Sequence, residues 1–99
     1  KVVIYMIKHI VMWKFKEGHE EEMNKFLSDL MSLKNKIDVI RSMQVGVNLN
    51  KNSEFNAVLI SEFDNFDDLK AYKENPEHVK VSNFCKAIRE KREAIDFEE

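Results

Sequence analysis

From about Ile4 to Phe15 the side chains alternate. Ile7, His9, Val11, Trp13 and Phe15 share one parity, and Lys8, Ile10, Met12 and Lys14 share the other. That period of two predicts a strand with one apolar face and a second face that is half apolar. Gly18 breaks the strand, and Glu20, Glu21 and Glu22 open a helix at the end where negative charge is favoured. Met23, Phe26, Leu27, Leu30, Met31, Leu33 and Ile37 then recur at helical spacing and predict one buried stripe, with the helix running to about Lys36. Alternation returns in Met43, Val45, Val47 and Leu49, giving a second strand over about 40–49. The polar stretch from Asn48 to Glu54 reads as a hairpin loop. A third strand follows from Phe55 to Phe63, with Phe55, Ala57, Leu59, Ser61 and Phe63 on one face and Asn56, Val58, Ile60 and Glu62 on the other.

Asp64 or Asn65 can cap a second helix that buries Phe66, Leu69 and Tyr72. Asn75-Pro76 ends it and starts a third, through Val79, Val81, Phe84, Cys85 and Ile88, because proline fits a first helical turn. From about Arg92 to Glu98 the chain alternates again and predicts a fourth strand. The order β-α-β-β-α-α-β is that of an α+β, ferredoxin-like split βαβ fold with a four-stranded antiparallel sheet and one extra helix. No linker, internal repeat or low-complexity segment interrupts it. One domain over residues 6–98 is expected, with residues 1–5 upstream of it.

Such a sheet carries helices on one face only. Ile10, Met12, Val58 and Ile60 fall on the other face, where a lone chain would leave them in water. Apolar patches of this kind mark association surfaces, and the simplest partner is a second copy packed face to face.

Composition removes several function classes. With 16 basic and 18 acidic residues in 99, the net charge is −2 and no basic excess favours nucleic acid. Two glycines, Gly18 and Gly46, cannot build a glycine-rich phosphate loop. Cys85 is alone, so neither an internal disulfide nor a multi-cysteine metal site can form, and a reducing, cytoplasmic setting is expected. The apolar start ends at Lys8, too early for a membrane span. The three histidines share no ligand spacing, and position 23 is Met where a zinc-protease helix starting at His19 would need a second His. No metal and no cofactor are expected.

Three stretches carry a resemblance: Ile7-Lys8-His9-Ile10-Val11-Met12-Trp13-Lys14-Phe15-Lys16, Val45-Gly46-Val47-Asn48-Leu49, and Ala71-Tyr72-Lys73-Glu74-Asn75-Pro76-Glu77-His78-Val79. With Phe63 to Leu69 and the closing Ile95-Asp96-Phe97, they resemble the stress-responsive α/β-barrel (Dabb) domain family over about residues 6–98. The resemblance implies a dimeric α+β barrel, a homodimer, related in shape to antibiotic-biosynthesis monooxygenases, in a family mostly without assigned activity. It includes a polyketide cyclase that closes a linear tetraketide by aldol condensation.

That cyclase pattern maps onto His9, Tyr72 and His78. It implies a small apolar or carbonyl ligand, with His78 as general base and with Tyr72 and His9 binding or polarising the carbonyl oxygen. A helix N-terminus at His78 would favour the neutral imidazole that a base requires. At Leu27, Ala57 and Arg89 the chain departs from the cyclase, which carries an aromatic, a histidine and a tryptophan there, and a charged Arg89 does not suit a long alkyl substrate. Each site residue also has a structural reading: His9 as a core histidine, His78 as a cap or carbonyl partner, Tyr72 as an aromatic with its hydroxyl at the rim. Three functions therefore stand open at this stage. They are a dimeric family member of undetermined and stress-linked role, a cofactor-free enzyme on a small carbonyl compound, and an oligomerisation or interaction module.

Overall fold

Strand alternation in the first segment produces the centre of the sheet. In the computed structural model, which describes residues 4–99, β1 (Ile7–Phe15) pairs antiparallel with β3 (Ala57–Phe63) on one side and β4 (Arg89–Glu98) on the other. β2 (Ser42–Val47) pairs with β3, so the order is β2-β3-β1-β4. The helices are α1 (Glu20–Ser32), which tightens into a 3-10 turn at Leu33–Asn35, α2 (Phe66–Glu74) and α3 (Pro76–Ile88). This is the expected ferredoxin-like α+β fold with an extra helix.

Helices cover one face. There His9, Val11, Trp13 and Phe15 of β1 and Ala57, Leu59, Ser61 and Phe63 of β3 are buried, while the residues between them are only partly covered or exposed. Phe26 from α1 sets its ring edge-on to Trp13 at 5.0 Å between centroids and tilted to Phe15 at 6.0 Å. Leu30, Leu33, Ile37 and Ile40 extend this core. Gly18 turns the chain from β1 into α1 with φ 84°, a conformation open to glycine at little cost.

Several expectations need correction at element edges. β1 starts at Ile7, with Ile4 and Tyr5 exposed outside it; of residues 1–5, placed upstream, the first three lie outside the described residues. β2 ends at Val47, and Leu49, expected to continue it, is 90% exposed. Phe55 and Asn56 are not in β3, although the Asn56 backbone still bonds across to Trp13 and Asn48, and beyond it side chains share the hydrogen bonding. Asn56 Oδ1 accepts from the Phe15 amide at 2.7 Å, and Asn48 and Asn50 bond locally within the loop. Met31 lies at the edge of the α1 stripe, one residue past Leu30, and is exposed.

Phe66 is 59% exposed, not buried. Asn65 caps α2 by accepting from the Asp68 amide at 2.8 Å, so Phe66 is the first helical residue. Three-residue spacing drifts by about 60° per step, which carries Phe66 away from the face that buries Leu69 and Tyr72. β4 begins at Arg89, not Arg92, directly after Ile88 and with no connecting loop.

Candidate functional site

The site is built where α2 meets α3. Asn75 serves both helices: its amide donates to the Tyr72 carbonyl at 3.2 Å, and its side-chain oxygen accepts from the Glu77 amide at 2.9 Å. Pro76 follows at the first position of α3, where no amide donor is required. This tight junction brings Tyr72, in the last turn of α2, against His78, in the first turn of α3. Their rings lie 4.4 Å apart between centroids. The sheet supplies the third group, since His9 reaches the same place from β1 with its ring 6.4 Å from Tyr72, edge-on.

Each histidine has one nitrogen committed. Asp96 stands directly across from His9 in the β1–β4 register, and its Oδ1 accepts a short hydrogen bond from His9 Nδ1. Lys73 Nζ lies 4.0 Å from the other oxygen of Asp96. His78 Nδ1 donates to the Lys73 carbonyl at 3.0 Å. A carbonyl can only accept, so this tautomer carries its proton on Nδ1 and leaves Nε2 with the lone pair.

Burial holds both imidazoles below their ordinary pKa, with the positive charges of Arg92 and Lys73 acting in the same direction. Asp96 opposes the shift at His9, and the Lys73 carbonyl opposes it at His78. The helix N-terminus expected to keep His78 neutral is thus secondary to desolvation. Burial drives the Tyr72 phenol up and keeps it a donor. Tyr72 is only 1% exposed, so its hydroxyl is not at the rim, and that hydroxyl has no hydrogen-bond partner among the described residues.

All three groups line one cavity of about 330 Å³ between sheet and helices, a size suited to a small ligand. Its floor is apolar, with Val11, Trp13, Leu59, Phe26 and Leu30. Cys85 is buried at its wall with its thiol pushed up to about 11 by burial, so it is not poised as a nucleophile. Sequence reasoning missed Asp96 and Arg92 here. Period-two alternation in β4 places the two on one face, but that this face, and not that of Ile95 and Phe97, looks toward the helices depends on a register spanning most of the chain.

The opposite face of the sheet brings together the other four expected residues. Ile10 stands across from Ile60 and Met12 across from Val58, and Ile95 of β4 extends the patch beside Ile10. Met12 and Ile95 are exposed and the others half-buried. No group of three or more metal-ligating side chains occurs among the described residues, and no helix there is long and apolar enough to cross a membrane.

Comparison with known proteins fits this architecture. The family model of the stress-responsive A/B barrel domain matches residues 7–99. A dimeric protein of unknown function with a ferredoxin-like fold from Bacteroides fragilis is 40% identical, with 95% of this chain and 96% of that chain covered and a TM-score of 0.87. A Dabb-family protein from Mesorhizobium loti is 23% identical over 94% and 95% of the two chains, with a TM-score of 0.79. A hydroxynitrile lyase from Passiflora edulis shares the fold at a TM-score of 0.85 and 16% identity, covering 95% and 93%. Among functionally curated proteins nothing matches significantly.

Proposed function

The chain belongs to the stress-responsive A/B barrel domain family, and from that premise we propose that it is a dimeric, cofactor-free enzyme acting on a small carbonyl compound. The observation that carries this reading is the Tyr72 hydroxyl, buried with no partner among the described residues on a ring flanked by two histidines at a cavity wall. A buried hydroxyl left unsatisfied costs about 1–3 kcal/mol. A ligand oxygen that accepts from it removes that cost.

In this reading the substrate carbonyl oxygen accepts from Tyr72 Oη. His78 Nε2 removes a proton from the carbon α to that carbonyl, becoming an imidazolium, and the electron pair of the broken C–H bond moves onto the oxygen as an enolate. Tyr72 strengthens its hydrogen bond as that charge develops, which is where a fixed donor accelerates a reaction. His9, held by Asp96, presents Nε2 as an acceptor, so it binds a substrate hydroxyl or the enol. Return of the proton to carbon, or attack of the enolate on a second carbonyl, completes the reaction.

Dimerisation through Ile10, Met12, Val58 and Ile60 belongs to the same proposal. It is supported by the half-covered apolar face and by the dimeric state of the Bacteroides fragilis relative.

Exchange of the α-protons of acetophenone into deuterium oxide, followed by NMR, tests the chemistry. Wild type should accelerate exchange over free imidazole. His78→Asn should lower the rate by about 10²–10⁴. Tyr72→Phe should lower it by about 10²–10³ while leaving the unliganded fold at least as stable, because it removes an unsatisfied hydroxyl. Equal rates for wild type and His78→Asn would end the proposal.

A further inference from the structure

The mouth of the cavity carries a charge opposite in sign to the molecule's own. Lys73, Lys86, Arg89 and Arg92 line it together with the two histidines, and no carboxylate does, although the chain's net charge is −2. Elsewhere Lys8, Lys14, Lys25, Arg41 and Lys91 each hold a carboxylate within 3.1 Å and Lys80 reaches Glu77 at 3.8 Å, while Lys16, Lys34, Lys36, Lys51 and Lys70 pair with no carboxylate among the described residues; what sets the cavity apart is four cations in one lining without a carboxylate. Among the described residues Lys86, Arg89 and Arg92 hold none, and Lys73 reaches Asp96 only at 4.0 Å.

A structural explanation covers part of this. Lys86 and Arg89 stand at the C-terminal end of α3, where the helix dipole favours positive charge. It does not cover Arg92, which lies within β4 opposite Trp13, on the face that looks toward the helices. Its charge is near enough to act on His9, Tyr72, His78 and Cys85 alike. The cavity therefore has three zones: an apolar floor, a neutral donor–acceptor wall with one unpartnered buried hydroxyl, and a cationic mouth.

We infer that the ligand of this cavity is a small amphipathic carboxylate, its apolar body on Val11, Leu30 and Leu59 and its carboxylate held at the mouth by Arg89 and Arg92. Two guanidinium forks match the two oxygens of a carboxylate in a way a neutral group cannot reproduce. The inference rests on the carbonyl-compound reading and narrows its substrate to an oxo acid, with the carbonyl at Tyr72 and the carboxylate at the arginines.

The test uses 4-oxo-4-phenylbutanoate and its methyl ester, which differ in the charge and in one methyl group. Calorimetric titration of the wild type should show the acid binding about tenfold or more tighter than the ester. Added salt should weaken the acid alone. In the double variant Arg89→Gln, Arg92→Gln the acid should fall to the affinity of the ester, and the ester should be unchanged. If the double variant does not fold, the acid–ester comparison and salt series on the wild type decide the matter alone.

The inference is overturned if the acid does not bind, if the ester binds as well as the acid, or if inorganic phosphate at equal concentration displaces the acid. The α-protons of the two probes separate this outcome from failure of the catalytic reading. Exchange without preference for the acid ends the carboxylate inference and leaves the enzyme. Arginine-dependent binding without exchange ends the enzyme and leaves a carboxylate-binding protein.

Discussion

His9 and His78 are the residues whose burial has a measurable cost. Both imidazoles are held below their ordinary pKa in the folded chain, chiefly by desolvation, and return to about 6.5 on unfolding. Between the folded and unfolded values the unfolded chain binds more protons, so this contribution is fully present above about pH 6.5 and is lost as pH falls toward the folded pKa. Melting temperature measured from about pH 8 to about pH 5 should therefore fall more steeply for wild type than for His78→Asn, which has no proton to gain. Parallel curves would show that His78 is as well solvated in the folded state as in the unfolded one. The same residues show what a sequence discloses at this scale. His9 was legible because alternation with Val11 and Trp13 placed it on the buried face. Asp96 and Arg92 were not, because their contacts with β1 come from a register joining residues about eighty positions apart.

Between residues and the whole lie the caps, and Asn75 is the one that matters for the site. It is the C-cap of one helix and the N-cap of the next, and it sets Tyr72 and His78 three positions away on either side. Asn75→Ala should cost about 1 kcal/mol of stability through loss of the side-chain cap. It should also reduce α-proton exchange by more than that loss explains, since both working groups shift with the junction. Thermal denaturation and the exchange assay on the same preparation separate the two effects. An unchanged exchange rate would mean that packing against Phe63, 5.1 Å from the Tyr72 ring, positions the tyrosine without the cap. Element types were readable throughout, because periods of two and 3.6 are hard to confuse over such long segments. Boundaries were not. Phe55 and Leu49 looked like strand, but the backbone pairing runs out at Asn48 and Asn56, where the Asn48 side chain bonds Phe55 and Asn50 within the loop instead.

At the scale of the molecule, the sheet keeps one face for the helices and leaves the other half-covered. Ile10, Met12, Val58, Ile60 and Ile95 occupy that second face. Val58→Asp should yield a monomer or insoluble protein in sedimentation, against about twice the single-chain mass for wild type, because dimerisation would bury an unpaired charge. A wild type that stays monomeric at high concentration contradicts the interface. The fold class was legible because the α1 stripe and the buried faces of β1 and β3 agree with a single layered arrangement, although β4 turns Ile95 away from the helices and Asp96 toward them.

β1 lies between β3 and β4, and β4 follows α3 without a connecting residue. The central strand is therefore made early and completed late. On a ribosome, Ile7–Phe15 emerges well before the residues that flank it on its second side, and until Arg89–Glu98 arrives one row of its backbone donors and acceptors stays unpaired. Long-range pairing of this kind slows folding, because the entropy of closing the intervening chain is lost before the contacts form. During that interval an apolar strand with a free edge is open to pairing with the wrong chain, which makes β4 both the last strand to dock and the one that shields the nascent protein from its neighbours.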